Sequence, residues 1–74
     1  MEDIKIRFGN AVRRLRLERG YTQEGFAAKA KINRSYMGQI ERGEINITIE
    51  GVERIAIGLG IKVGELMSEV DHRD

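Results

Sequence analysis

The chain has 74 residues, 41% of them apolar and 34% charged, which suits one small globular domain rather than a disordered segment. It has no cysteine and a single histidine, His72, which excludes a disulfide framework, a thiolate metal site and a histidine cluster, so neither metal nor cofactor is expected. Its formal charge of +1, taken whole, argues against a polyanionic partner; no apolar run nears the ~18 residues of a membrane span and no signal-peptide pattern opens the sequence, so a cytoplasmic protein with no membrane partner is expected.

There is no proline, and glycine supplies the punctuation. The spacing predicts a first helix over about residues 4–19, with Phe8, Ala11, Val12 and Leu15 at three- and four-residue intervals and Gly20 as a left-handed stop. Gly9 inside it costs about 1 kcal/mol relative to alanine. Thr22 is a good N-cap for a second helix over 23–30, and Glu24 suits the positive end of its dipole. A capping box would need Glu or Gln where Gly25 stands. Asn33 caps a third helix over 34–42, closed by Gly43. Met37 and Ile40 form its inner face, Arg34, Ser35, Gly38, Gln39 and Arg42 its outer face, and Tyr36 the border.

A loop over 44–47 follows. Ile45, Ile47 and Ile49 alternate as a strand would, but Asn46 and a capping Thr48 favour an extended loop. Thr48 then starts a fourth helix over 49–59, with Val52, Ile55, Ala56 and Leu59 at core spacing and Gly60 as its stop. A fifth, over 63–69, carries Val63, Leu66, Met67 and Val70, and residues 71–74 are expected to fray. The fold class is therefore all-α, a five-helix single domain over 1–74.

The near-neutral total hides a gradient. Residues 1–42 hold ten basic and five acidic groups, a net +5, and residues 43–74 hold three basic and seven acidic groups, a net −4. A basic half joined to an acidic half suggests an anionic partner for the first, although solvated helix faces would give the same pattern. The most informative stretch is 23–42. Phe26, Ala30, Ile32, Met37 and Ile40 point to one shared core across a tight connection at 31–33, and Ala27 is small where the two helices must approach. This is the residue logic of a helix-turn-helix unit, whose second helix enters the DNA major groove. A helical bundle with no DNA role is the plainer alternative.

Three segments carry a resemblance: Leu17-Glu18-Arg19-Gly20-Tyr21-Thr22-Gln23-Glu24, Tyr36-Met37-Gly38-Gln39-Ile40-Glu41-Arg42-Gly43, and Ile55-Ala56-Ile57-Gly58-Leu59-Gly60. The chain resembles repressor/Cro-type (XRE) helix-turn-helix domains over about residues 6–69. Within them it is most similar to the controller proteins of restriction–modification systems, through Arg34-Ser35-Tyr36, Ile40-Glu41-Arg42-Gly43 and Asn46-Ile47-Thr48. The resemblance implies a compact lambda-repressor-like domain acting as a homodimeric transcription regulator on a double-stranded DNA operator, without a small-molecule ligand.

It implies base reading by Asn33, Arg34, Ser35 and Gln39, where arginine suits guanine and glutamine adenine. It implies phosphate or backbone contacts by Thr22, Gln23, Tyr36, Arg42, Asn46 and Thr48. It places a structural ion pair at Arg16 and Glu41, and a two-fold interface at Ile47, Ile49, Leu66, Met67 and Val70. Glu24 falls where related activators meet the polymerase σ subunit, and dipole complementation explains it equally well. Lys31 departs from the resemblance, standing where the turn usually has glycine. A phage or plasmid repressor, an antitoxin, or a protein-interaction module of the same fold are the alternatives. No nucleophile–base pair supports an enzyme.

Overall fold

A computed structural model describes residues 3–71, as five helices and, among those residues, no strand. They are α1 (Ile4–Glu18), α2 (Gln23–Ala30), α3 (Arg34–Arg42), α4 (Ile49–Leu59) and α5 (Val63–Asp71). Capping side chains fix where each begins. The oxygens of Asp3, Thr22, Asn33 and Thr48 accept from the first-turn amides of α1, α2, α3 and α4, and the Glu65 carboxylate accepts from Lys62 N at 2.9 Å as α5 opens. Gly20, Gly43 and Gly60 all take positive φ beyond the ends of α1, α3 and α4. Arg19 rather than a further helical turn closes α1. Its guanidinium donates to Leu15 O and Leu59 O, covering the carbonyl ends of α1 and α4 together.

One core joins all five helices. Val12, Phe26, Met37, Ile55 and Leu66 are its largest fully buried side chains. Tyr21 closes its edge, edge-on to the Phe26 ring at 5.8 Å, with the Lys29 ammonium 5.4 Å above the Tyr21 ring. Acidic α5 is stitched to basic α1 by Arg14–Glu69 at 2.8 Å and Arg7–Asp71 at 3.6 Å.

The structure departs from the sequence reading in three places. Helix α5 runs to Asp71, two residues further than the periodicity gives, because Val70 is still needed by the core. Asp71, expected to fray, is instead the last residue of α5, and the rest of the expected frayed tail, residues 72–74 with His72, lies outside the described residues. Leu66 and Val70, assigned from the resemblance to a two-fold interface, are 0% and 3% exposed inside the chain's own core, leaving no surface for a partner to touch.

Gly9 is not a weak point in α1 but a packing requirement. A Cβ there would lie 2.5 Å from Ile40 O and 2.6 Å from Glu41 O, so α1 crosses α3 at backbone contact. At the turn between α2 and α3, Lys31 adopts the left-handed conformation that glycine usually fills (φ 58°, ψ 45°). The amides of Lys31 and Ile32 donate to Ala28 O and Ala27 O, the paired bonds of a Schellman stop. Arg54 of α4 braces the same turn by donating to Lys31 O.

Gly9→Ala should lower unfolding free energy by about 3 kcal/mol, since neither backbone carbonyl can move without separating α1 from α3. Lys31→Gly should raise it by about 1 kcal/mol by relieving the left-handed strain. Urea denaturation of the two variants checks both, and the opposite signs make the comparison sharp.

Candidate nucleic-acid interface

The outer face of α3 and the N-terminus of α2 form one surface. Gln23, Arg34, Ser35, Gly38, Gln39 and Arg42 line a shallow depression on it. The sequence places these residues on one side of α3 because its inner side is used by Met37 and Ile40, both fully or nearly fully buried.

Beneath the surface is a buried charge network. Arg16 of α1 gives Glu41 of α3 two hydrogen bonds, from Nε to Oε2 at 2.7 Å and from Nη2 to Oε1 at 3.0 Å. The two residues are 6% and 7% exposed. The remaining Nη1 donates to Tyr21 O, just before α2, at 2.8 Å. Gln23 Nε2, from the first residue of α2, donates to the same Glu41 Oε1 at 3.0 Å. Bonding to Glu41 raises Arg16 above its already high ordinary value against the opposing effect of burial. The network therefore clamps α1, the start of α2 and α3 through one carboxylate.

The base-reading candidates differ in what is left free. Arg34 and Ser35 are exposed at the start of α3, and Gln39 is half-buried one turn on. Arg34 Nη1 lies 3.4 Å from Glu24 Oε1, a loose pair with both side chains about 70% exposed. Asn33 is committed to its helix, its Oδ1 accepting from Ser35 N and Tyr36 N, so only its Nδ2 donors remain for DNA.

Among the backbone candidates, the Thr22 and Thr48 hydroxyl oxygens accept from Gly25 N and Gly51 N, which leaves each O–H free to donate outward. Tyr36 is half-buried, its hydroxyl 3.5 Å from Thr48 N, so α3 touches the loop that precedes α4. Asn46 is exposed in that loop. Arg42 holds Glu44 through two hydrogen bonds, Nε to Oε2 at 2.8 Å and Nη2 to Oε1 at 3.1 Å, and those bonds keep the Glu44 carboxyl below its ordinary value.

Sequence reasoning missed Glu44 and the packing at Gly38. Arg42 and Glu44 are two residues apart across a left-handed glycine, a spacing that no helical rule flags. Of the apolar residues assigned to a two-fold interface, Ile49 is 77% exposed and Ile47 and Met67 are half-buried. Ile47 and Met67 share a cleft of about 200 Å³ that Ile4, Phe8, Ile45 and Val52 also line. No described helix is long and apolar enough to cross a membrane.

Comparison with known proteins places this arrangement. A helix-turn-helix family model matches residues 12–66. The control protein C.MunI of a Mycoplasma species is 44% identical over 72 residues, covering 96% of this chain and 97% of that protein. The crystal structure of the restriction–modification controller C.AhdI from Aeromonas hydrophila superposes with a TM-score of 0.81 at 35% identity, over 84% of this chain and 94% of that one. The controller C.Esp1396I, solved as a tetramer with its natural operator, superposes with a TM-score of 0.81 at 32% identity, over 97% of this chain and all of that one.

Arg16→Ala or Glu41→Ala should each cost about 3–5 kcal/mol, because each leaves an uncompensated buried charge. The double replacement Arg16→Met/Glu41→Leu should cost less than either single change. Chemical denaturation of the three variants checks this ordering.

Proposed function

The chain belongs to the XRE-type helix-turn-helix family, and from that premise we propose that it is a sequence-specific DNA-binding transcription regulator that controls a restriction–modification operon. The observation that carries this is the exposed outer face of α3, where Arg34, Ser35, Gln39 and Arg42 stand on a helix whose inner face and two ends are fixed by the rest of the fold. Relatives named as control proteins over nearly their whole length support the specific role.

In this reading α3 lies in the major groove. Arg34 approaches guanine through a bidentate contact, Gln39 reaches adenine, and Ser35 and the Asn33 amide complete the base edge. Thr22, Tyr36, Arg42, Asn46 and Thr48 hold the flanking phosphates with their side chains and Gln23 with its backbone N–H at the start of α2, and together they set the register. Arg34 leaves Glu24 to do so, and the freed Glu24 carboxylate is the candidate σ-subunit contact for activation. The protein acts in the cytoplasm, where its operator lies.

A second copy of the chain covers the apolar edge formed by Ile47, Ile49 and Met67, with Leu66 and Val70 supporting that edge from within the core. A two-fold dimer sets two recognition helices about 34 Å apart, so the operator is a pseudo-palindrome. Such a regulator responds to its own concentration through dimerisation and operator occupancy.

Selection of bound duplexes from a random pool should return a pseudo-palindrome with half-sites one helical turn apart, and recovery of unrelated sequences contradicts the proposal. Against the recovered duplex, Arg34→Ala should weaken binding by about 1–3 kcal/mol and relax preference at a single base pair in each half-site. Titration against all four bases at each position checks that.

A further inference from the structure

The Arg42–Glu44 pair poses a chemical question. A carboxylate beside a DNA-facing arginine ordinarily opposes phosphate binding, by repulsion and by competing for the guanidinium. The geometry here divides the guanidinium instead. Glu44 accepts from Nε and Nη2, which leaves the Nη1 edge unengaged by it. That edge lies across Gly38: a Cβ built on Gly38 would be 3.0 Å from Arg42 Nη1 and 3.4 Å from Gln23 Oε1. Gly38 is buried although it stands on the outer face of α3, because these two side chains close over it. Gln23 is itself oriented, since its Nε2 is turned inward to Glu41 and its Oε1 outward.

We propose that Glu44 and Gly38 position Arg42, so that its free Nη1 edge is preset beside Gln23 at the start of α2 as a phosphate ligand. Glu44 is thus a positioning residue that favours operator binding despite its negative charge. Two hydrogen bonds of ordinary length fix the plane of an otherwise flexible side chain, and less conformational freedom is lost when the phosphate arrives. The missing side chain at Gly38 supplies the path along which the guanidinium lies. This rests on the reading that the α3 face docks on DNA.

The test uses the full chain, the duplex that the wild-type protein selects from a random pool, and a scrambled duplex of the same length and salt. Glu44→Gln should weaken binding to the selected duplex about three- to tenfold, although it removes a negative charge. In an Arg42→Ala background the same change should cause no loss. Glu65→Gln makes the same charge change on α5, keeps an amide oxygen for Lys62 N, and should bind no more weakly than wild type.

Gly38→Ala should bind the selected duplex more weakly yet melt at a higher temperature, because alanine favours the helix while its methyl displaces a flexible guanidinium. That combination separates positioning from folding. If Glu44→Gln binds the selected duplex as tightly as wild type or more tightly, Glu44 is a competitor and the inference falls. An equal loss in the Arg42→Ala background also overturns it, since Glu44 would then act through something else. If wild type selects no duplex at all, the DNA reading fails, and this inference with it.

Discussion

The geometry of the surface depends on one buried carboxylate. Glu41 receives Arg16 from α1, on two bonds, and Gln23 from α2, while standing on α3 itself. Burying two charges costs free energy that their attraction does not by itself return in surplus. An apolar pair of similar volume could fill the space as well. What an apolar pair could not do is fix direction. The guanidinium–carboxylate fork sets the angle of α1 to α3, and the leftover Arg16 donor holds the chain at Tyr21 just before α2 begins. Close backbone contact at Gly9 sets the same crossing from the other side. Together they present the start of α2 and the outer face of α3 at one level, the condition for a phosphate contact and a base contact to form at the same time.

The charge gradient along the chain looks different once folded. Part of the net +5 in residues 1–42 never faces a partner. Arg7 and Arg14 of α1 are matched by Asp71 and Glu69 of α5, and Arg16 is internal. The cations remaining toward the proposed DNA surface include Arg34 and Arg42, each accompanied by a carboxylate. A protein built this way has little excess charge with which to hold DNA of any sequence, so discrimination falls to the placement of a few side chains.

Much of the fold was legible because periodicity, caps and left-handed stops agree with one another along the chain. Thr22, Asn33 and Thr48 begin the helices they were expected to begin, and Gly43 and Gly60 end theirs. Lys31 could be placed in the left-handed turn only because the resemblance marked that position; its own side chain argues against it. Gly9 misled for a physical reason. Helix propensity is a local quantity, whereas this residue answers to carbonyls on another helix. Leu66 and Val70 misled because the resemblance implies a dimer without saying which apolar residues of a terminal helix the chain keeps for its own core. The pairing of Arg42 with Glu44 was invisible because it spans the end of a helix, where side-chain geometry follows the backbone turn rather than a period.

A structure of the protein bound to its selected duplex tests the central claim most directly: that Glu41 holds α2 and α3 as one rigid reading surface. The account predicts Arg16 and Gln23 still bonded to Glu41, α3 in the major groove, and Arg34 released from Glu24 to a base edge. Gln23 rotated away from Glu41, or α3 lying outside the groove, would contradict it.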